Sequence, residues 1–227
     1  MNKKLLLSGG GDSQYSILLD RLLLELIPKG KKLLYIPIAW KGGDFDSCFS
    51  WFSSVFSNLG FNNFKMCTKL LNKKYEELED FGAIYIGGGN TYLLMNDIKS
   101  SGFDKTLIRF IESGRPIYGG SAGAIIFGSN IDTAGFGGDS DKNEINIKDK
   151  SGFNLIGGYA IQCHYSSEQD FEIKEFVIIR GIPVLALPER SGVYVDGGKI
   201  SVIGFESVYL FTGDKKVTYN PGLFLSI

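Results

Sequence analysis

Histidine is nearly absent from this 227-residue sequence: His164 is the only one. Any chemistry that needs an imidazole therefore has a single candidate. Cysteine is scarce too. Cys48, Cys67 and Cys163 are scattered, odd in number and without C-x-x-C spacing. That argues against a disulfide framework or a zinc site, and no metal or cofactor is expected. Neither sign of charge dominates. With 24 Lys and Arg against 25 Asp and Glu, the net charge of −1 gives no electrostatic case for nucleic acid or an anionic membrane. No apolar run approaches the roughly 20 residues that span a bilayer. Lys3-Lys4 followed by Leu5-Leu6-Leu7 has a signal peptide's charge, but Gly9-Gly10-Gly11-Asp12 interrupts the apolar stretch too soon. The segment reads as a buried first strand, and the expected compartment is the cytoplasm.

Glycine is abundant, with 30 residues, many at the ends of apolar runs. The length fits one large domain over residues 1–227, and 44% hydrophobic with 22% charged residues is ordinary for a soluble globular protein. Short apolar runs at 5–8, 32–38, 64–67, 83–86, 116–118, 159–163 and 183–187 predict strands. Helical spacing of Ile17, Leu18, Leu22 and Leu26 predicts one helix, and that of Phe49, Phe52, Phe56 and Leu59 another. Further helices are expected at 75–78, 91–98 and 103–111, and at 167–180 with Phe171, Phe176 and Ile179 on the inner side. Residues 132–149 read as a long polar loop, of a kind that is usually functional. From Val193 onward, short strands separated by turns predict antiparallel hairpins closing one edge. The alternation implies an α/β fold, a mostly parallel sheet covered by helices on both faces. Glycine-rich turns at 9–13, 87–90 and 119–123 would share the rim where such sheets bind ligands.

The most chemical stretch is Arg115 to Gly128, RPIYGGSAGAIIFG. Gly119-Gly120-Ser121-Ala122-Gly123 spells G-x-S-x-G, which places a nucleophile on a sharp strand-to-helix turn. A serine hydroxyl needs a base to take its proton and a third group to orient that base. The base can only be His164, at the end of its own strand. Asp132, Asp139, Asp141, Glu144 and Asp149 lie between the two as possible orienting carboxylates. Gly87-Gly88-Gly89-Asn90 allows backbone N–H groups to approach an oxyanion, and the N–H of Ala122 would be a second donor.

Tyr85-Ile86-Gly87-Gly88-Gly89-Asn90-Thr91, Gly119-Gly120-Ser121-Ala122-Gly123-Ala124, Cys163-His164-Tyr165 and Leu187-Pro188-Glu189 together resemble the peptidase E family. These serine peptidases include the aspartyl dipeptidases and, more distantly, cyanophycinase. The resemblance covers about residues 85–190 and implies a fold like class I glutamine amidotransferases and flavodoxin, with serine replacing cysteine at the elbow. It implies Ser121 as nucleophile, His164 as base, and the Gly89 and Ala122 amides as oxyanion hole. The triad acid is expected in the loop after the elbow helix, at Asp141, with Asp139 second. The substrate would be a short peptide, among them dipeptides with N-terminal Asp, cleaved by one chain or a homodimer. Gly120 departs from the tryptophan of the bacterial dipeptidase, and no arginine cluster marks a pocket for an aspartate side chain. Asn90, Glu189 and Arg190 are candidate substrate contacts on the rim, Glu189 for a free amino group.

Two other readings compete. Ser8-Gly9-Gly10-Gly11-Asp12-Ser13 resembles the S-G-G-x-D-S loop of PP-loop ATP pyrophosphatases, which holds pyrophosphate at a helix N-terminus. No second nucleotide motif accompanies it, and the loop has no basic residue. A non-catalytic binding protein could also keep the glycine turns while losing the triad acid.

Overall fold

The computed structural model describes residues 3–40, 42–138 and 140–226. Five apolar runs form β1 (Lys4–Ser8), β2 (Lys32–Ile36), β3 (Phe64–Met66), β4 (Phe81–Ile86) and β5 (Ile117–Gly120). They are parallel, in the order β1-β5-β4-β2-β3. The next two strands, β6 (Ala160–Gln162) and β7 (Val184–Ala186), are parallel to each other but form a separate sheet.

The C-terminal strands do not close one edge, as their sequence predicts; they divide between the two sheets. β8 (Ser191–Asp196), β9 (Lys199–Gly204) and β12 (Phe224–Ser226) extend the large sheet antiparallel from β1. β10 (Val208–Thr212) and β11 (Lys215–Tyr219) instead extend the small sheet from β7. Turn signals reveal where hairpins bend but not which edge they join. Burial follows that division: Phe211 of β10 packs with Ala160, Val184 and Ala186 of the small sheet, and Val193 and Val195 of β8 belong to the large sheet's core.

Period-2 alternation gives the large sheet two different faces. Leu5, Leu7, Leu34, Ile36 and Ile84 face α3 (Thr91–Ser100) and α4 (Phe103–Glu112). Leu6, Leu33, Tyr35, Tyr85 and Tyr118 face α1 (Ser13–Leu26) and α2 (Phe45–Asn58). On this second face three tyrosines stand in register, Tyr35 beside Tyr85 and Tyr85 beside Tyr118. Tyr85 stacks on Tyr118 with centroids 4.3 Å apart, and Phe52 of α2 stacks on Tyr35 at 4.1 Å. Such pairs contribute about 0.5–1.5 kcal/mol each beyond their buried area.

In two helices the most buried residues differ in part from those the spacing picks out, although Leu22 and Leu26 of α1 still pack against this layer. The buried residues of α1 are Leu19, Asp20 and Leu23, while Leu18 is exposed. In α6 (Asp170–Arg180) the sheet takes Ile173, Phe176 and Val177, leaving Phe171 and Ile179 exposed. Both sequences carry more apolar residues than one stripe can hold, so packing rather than spacing selects the inner set.

Asp20 is the exception in this apolar layer. It is 1% exposed, and its Oδ2 accepts a hydrogen bond of 2.8 Å from Ser16 Oγ. Burial raises its pKa from 3.8 to about 7, with Ser16 and Tyr118 opposing the rise. The folded chain thus binds this proton more tightly than the unfolded chain. The stability this group contributes is fully present below about pH 4 and is lost as pH rises through about 7. Asp20→Asn should remove this dependence. Urea denaturation is expected to show the variant gaining on wild type between pH 5 and pH 8; an unchanged difference would place no buried proton on Asp20.

Candidate active site

β5 delivers its last glycine directly into α5 (Ala122–Ile125), a single helical turn, with Ser121 between them. Ser121 has φ 51° and ψ −115°, a conformation that disfavours a side chain and costs about 1–3 kcal/mol. The surroundings impose it. The Ser121 amide donates to Ser8 O at 3.2 Å, and the amides of Ala124 and Ile125 donate to Ser121 O at 2.7 and 3.0 Å. The flanking glycines let backbones touch: a methyl on Gly119 would overlap Gly123 O, and one on Gly123 would overlap Ile86 O.

His164 arrives from the small sheet. Its Nε2 lies 2.8 Å from Ser121 Oγ, and its Nδ1 lies 2.8 Å from Glu189 Oε1. The parallel pairing explains this meeting. Gln162 of β6 is opposite Ala186 of β7, so the segments that leave both strands reach the same rim, and Tyr165 N donates to Leu187 O at 3.1 Å. Beyond His164, the Tyr165 hydroxyl donates to Asp170, whose carboxylate pairs with Lys216 of β11 at 2.9 Å. The His164 and Glu189 side chains are each a little under half exposed, so their attraction is partly screened by solvent.

The glycine turn after β1 packs against this pair. The His164 amide donates to Gly9 O at 2.9 Å. Gly10, at φ 103°, lies so close to the imidazole that a Cβ would overlap Cε1, and a Cβ on Gly11 would be 2.9 Å from Glu189 Cβ. Packing against the histidine and its carboxylate accounts for these glycines without a bound phosphate. The turn that resembles a pyrophosphate loop is here part of the wall that holds His164.

The carboxylate on Nδ1 is thus Glu189 and not Asp141. Asp141 Oδ2 accepts from the Thr91 amide at 2.7 Å, at the amino end of α3, and the Asp141 amide donates to Ala134 O. Helix ends leave N–H groups without partners, and this one has claimed the loop's aspartate. Asp139 lies outside the described residues. Asp132 pairs with Lys150 and Arg180, and Asp149 with Lys99 at 2.7 Å. Loop position suggested Asp141; Glu189 stood in the Leu187-Pro188-Glu189 segment, but only the parallel pairing of β6 and β7 brings it beside the histidine. The remaining rim candidates are also occupied. Asn90 caps α3 through Leu93 N and donates to Lys142 O. Arg190 pairs with Glu206 at 3.5 Å, its guanidinium over Tyr15 and Phe205.

Gly89 sits at φ 133° with its backbone against Ala39 O, where a Cβ would overlap. Among the described residues, neither the Gly89 amide nor the Ala122 amide donates to a protein acceptor. Cavities of about 610 and 490 Å³ meet at the serine, both lined by Gly89, Ser121 and His164. The larger continues past Asp141, Gln162 and Glu189; the smaller runs under Trp40 and Trp51 to the three tyrosines. Cys163 lies behind the elbow, fully desolvated, and burial pushes its thiol well above the usual range. It is not the nucleophile of this site.

The sequence model described as peptidase family S51 matches residues 5–203. The chain is 24% identical over 229 residues to Peptidase E of Actinobacillus pleuropneumoniae serotype 5b (strain L20), covering 93% of each. It is 28% identical over 197 residues to a Drosophila melanogaster protein named "Probable alpha-aspartyl dipeptidase", covering 81% of this chain and 77% of that one. The crystal structure of a peptidase from an acI-B1 Actinobacterium superposes with a TM-score of 0.75 at 18% identity, covering 100% of this chain and 98% of the other.

The strained elbow yields a stability test that is independent of turnover. Replacing Ser121 with either alanine or glycine removes the hydroxyl, but only glycine relieves the backbone. Ser121→Gly should be more stable than Ser121→Ala by about 1 kcal/mol, the reverse of the usual order. Denaturant midpoints check this, and a more stable alanine variant would mean that the elbow is not strained.

Proposed function

The chain belongs to peptidase family S51, and on that premise we propose that it hydrolyses short peptides with Ser121, His164 and Glu189 acting in series. The observation that carries this reading is the unbroken line of two 2.8 Å contacts, from Ser121 Oγ to Nε2 and from Nδ1 to Glu189. Glu189 accepts a hydrogen bond from the Nδ1–H. That leaves the Nε2 lone pair facing the hydroxyl and stabilises the imidazolium formed when the base is protonated. Ser121 Oγ attacks the scissile carbonyl carbon as its proton passes to Nε2. The amides of Gly89 and Ala122 donate to the oxyanion. Collapse breaks the C–N bond while Nε2 returns the proton to the leaving amine. Water, deprotonated by the same nitrogen, then attacks the acyl-enzyme and frees Ser121.

Short substrates are favoured because both cavities at Ser121 hold only a few side chains' volume. The name of the Drosophila relative, a dipeptidase, supports the same size class.

Kinetics on a peptide panel with chelator present test the roles. Ser121→Ala and His164→Ala should each lower kcat by about 10⁴-fold or more, and Glu189→Gln by about 10²-fold or more. Asp141→Asn, which keeps an oxygen for Thr91 N, should stay within about threefold of wild type. Turnover surviving in Ser121→Ala would end the proposal. A large loss at Asp141 with none at Glu189 would return the acid to the loop.

A further inference from the structure

We infer that the smaller cavity beside Ser121 receives a large apolar or aromatic side chain of the peptide, next to the scissile bond, and that aspartate is disfavoured on either side of that bond. This rests on the proposed peptidase reading and names its substrate class.

The cavity's construction carries the inference. Behind the cavity stands the tyrosine ladder, Tyr35, Tyr85 and Tyr118, brought side by side by the register of β2, β4 and β5 and itself buried, so the cavity's open walls are its two tryptophans. Trp40 and Trp51 line the same space, yet are 49% and 43% exposed. Two tryptophans left half in water beside a reacting serine offer apolar area that a bound side chain would cover. At its inner end the cavity reaches Gly88, Gly89, Gly120 and Ser121. A side chain seated in the cavity therefore belongs to a residue whose carbonyl or amide nitrogen is at the nucleophile. Its volume of about 490 Å³ admits an indole or phenyl ring.

Charge points the same way. The charged group in the described lining is Asp44, an exposed carboxylate that caps α2 through the Ser47 amide at 3.0 Å. Buried Asp20 lies behind the lining, on Ser16. Among the described lining residues there is no Lys or Arg. An aspartate side chain entering here would lose water, meet no cation among the described lining residues and approach a like charge. The larger cavity is no better suited. It presents Asp141, Glu189 and the buried Gln162 Oε1, which has no donor among the described residues, again without a described Lys or Arg. This chain therefore differs from what the name of the Drosophila relative says of that protein.

The experiment uses five dipeptides, Ala-Ala, Phe-Ala, Ala-Phe, Asp-Ala and Ala-Asp. Their hydrolysis by wild type and their binding to Ser121→Ala, by calorimetry, are both measured. A Phe peptide should exceed Ala-Ala by about 10- to 100-fold in kcat/KM and in affinity, the range set by burying one apolar side chain. Both Asp peptides should fall below Ala-Ala. Trp51→Ala and Trp40→Ala should each shrink the Phe-to-Ala ratio about tenfold or to unity; Trp51→Leu serves where the alanine variant does not fold. An Asp peptide ranked first, or a Phe preference unmoved by both tryptophan substitutions, overturns the inference while leaving the peptidase reading intact. Tight Phe-peptide binding to Ser121→Ala without hydrolysis by wild type does the opposite: the pocket stands and the peptidase reading falls.

Discussion

His164 is held from four directions by parts of the chain far apart in sequence. Glu189 takes Nδ1, Ser121 takes Nε2, Gly9 accepts the histidine's own amide proton, and Gly10 lies against the ring. Its backbone is held at φ 52°, so the imidazole's direction is set by its neighbours and not by local preference. With no second histidine in the chain, the chemistry proposed for Ser121 depends on this one ring staying within hydrogen-bond reach of the hydroxyl. The architecture can be read as the means of holding it. The large sheet supplies the serine and the glycine wall, the small sheet supplies the histidine and its carboxylate, and their strand ends meet at one rim.

Much of this was legible in the sequence. The βα alternation, the three glycine turns on a common rim and the G-x-S-x-G elbow follow from apolar spacing and from where glycine interrupts it. The pairing of Ser121 with His164 followed from scarcity, since no other imidazole exists. The orienting carboxylate did not follow, because chain order favours the loop aspartates, whereas proximity is decided by β6 and β7 lying parallel. Nothing in a three-residue strand such as Ala160–Gln162 announces its neighbour. The division of the C-terminal hairpins between two sheets was hidden for the same reason, and the inner faces of α1 and α6 because both helices have surplus apolar residues.

The tyrosine ladder shows a signal that was present but easily passed over. Tyr85 and Tyr118 each stand just ahead of a glycine turn, at 87–90 and 119–123 respectively. Those positions place both rings near the rim on one face, where in-register pairing with Tyr35 turns separate residues into a buried aromatic row behind the smaller cavity. Their hydroxyls are held neutral, as burial raises the pKa of Tyr35, Tyr85 and Tyr118. The serine thus sits between an aromatic cavity with no described Lys or Arg and one lined by acceptors, an asymmetry that bears on how a peptide lies across it.

The protonation of His164 tests this arrangement most directly, and a single histidine makes the measurement unambiguous. Nitrogen NMR of protein labelled at histidine reports which ring nitrogen carries the proton. Near neutral pH the neutral ring is expected to carry it on Nδ1, facing Glu189, with Nε2 free to accept from Ser121. Glu189→Gln should disturb that tautomer, and Asp141→Asn should leave it unchanged. A proton on Nε2 in the wild-type neutral ring, or a tautomer indifferent to residue 189, would contradict the role given to Glu189.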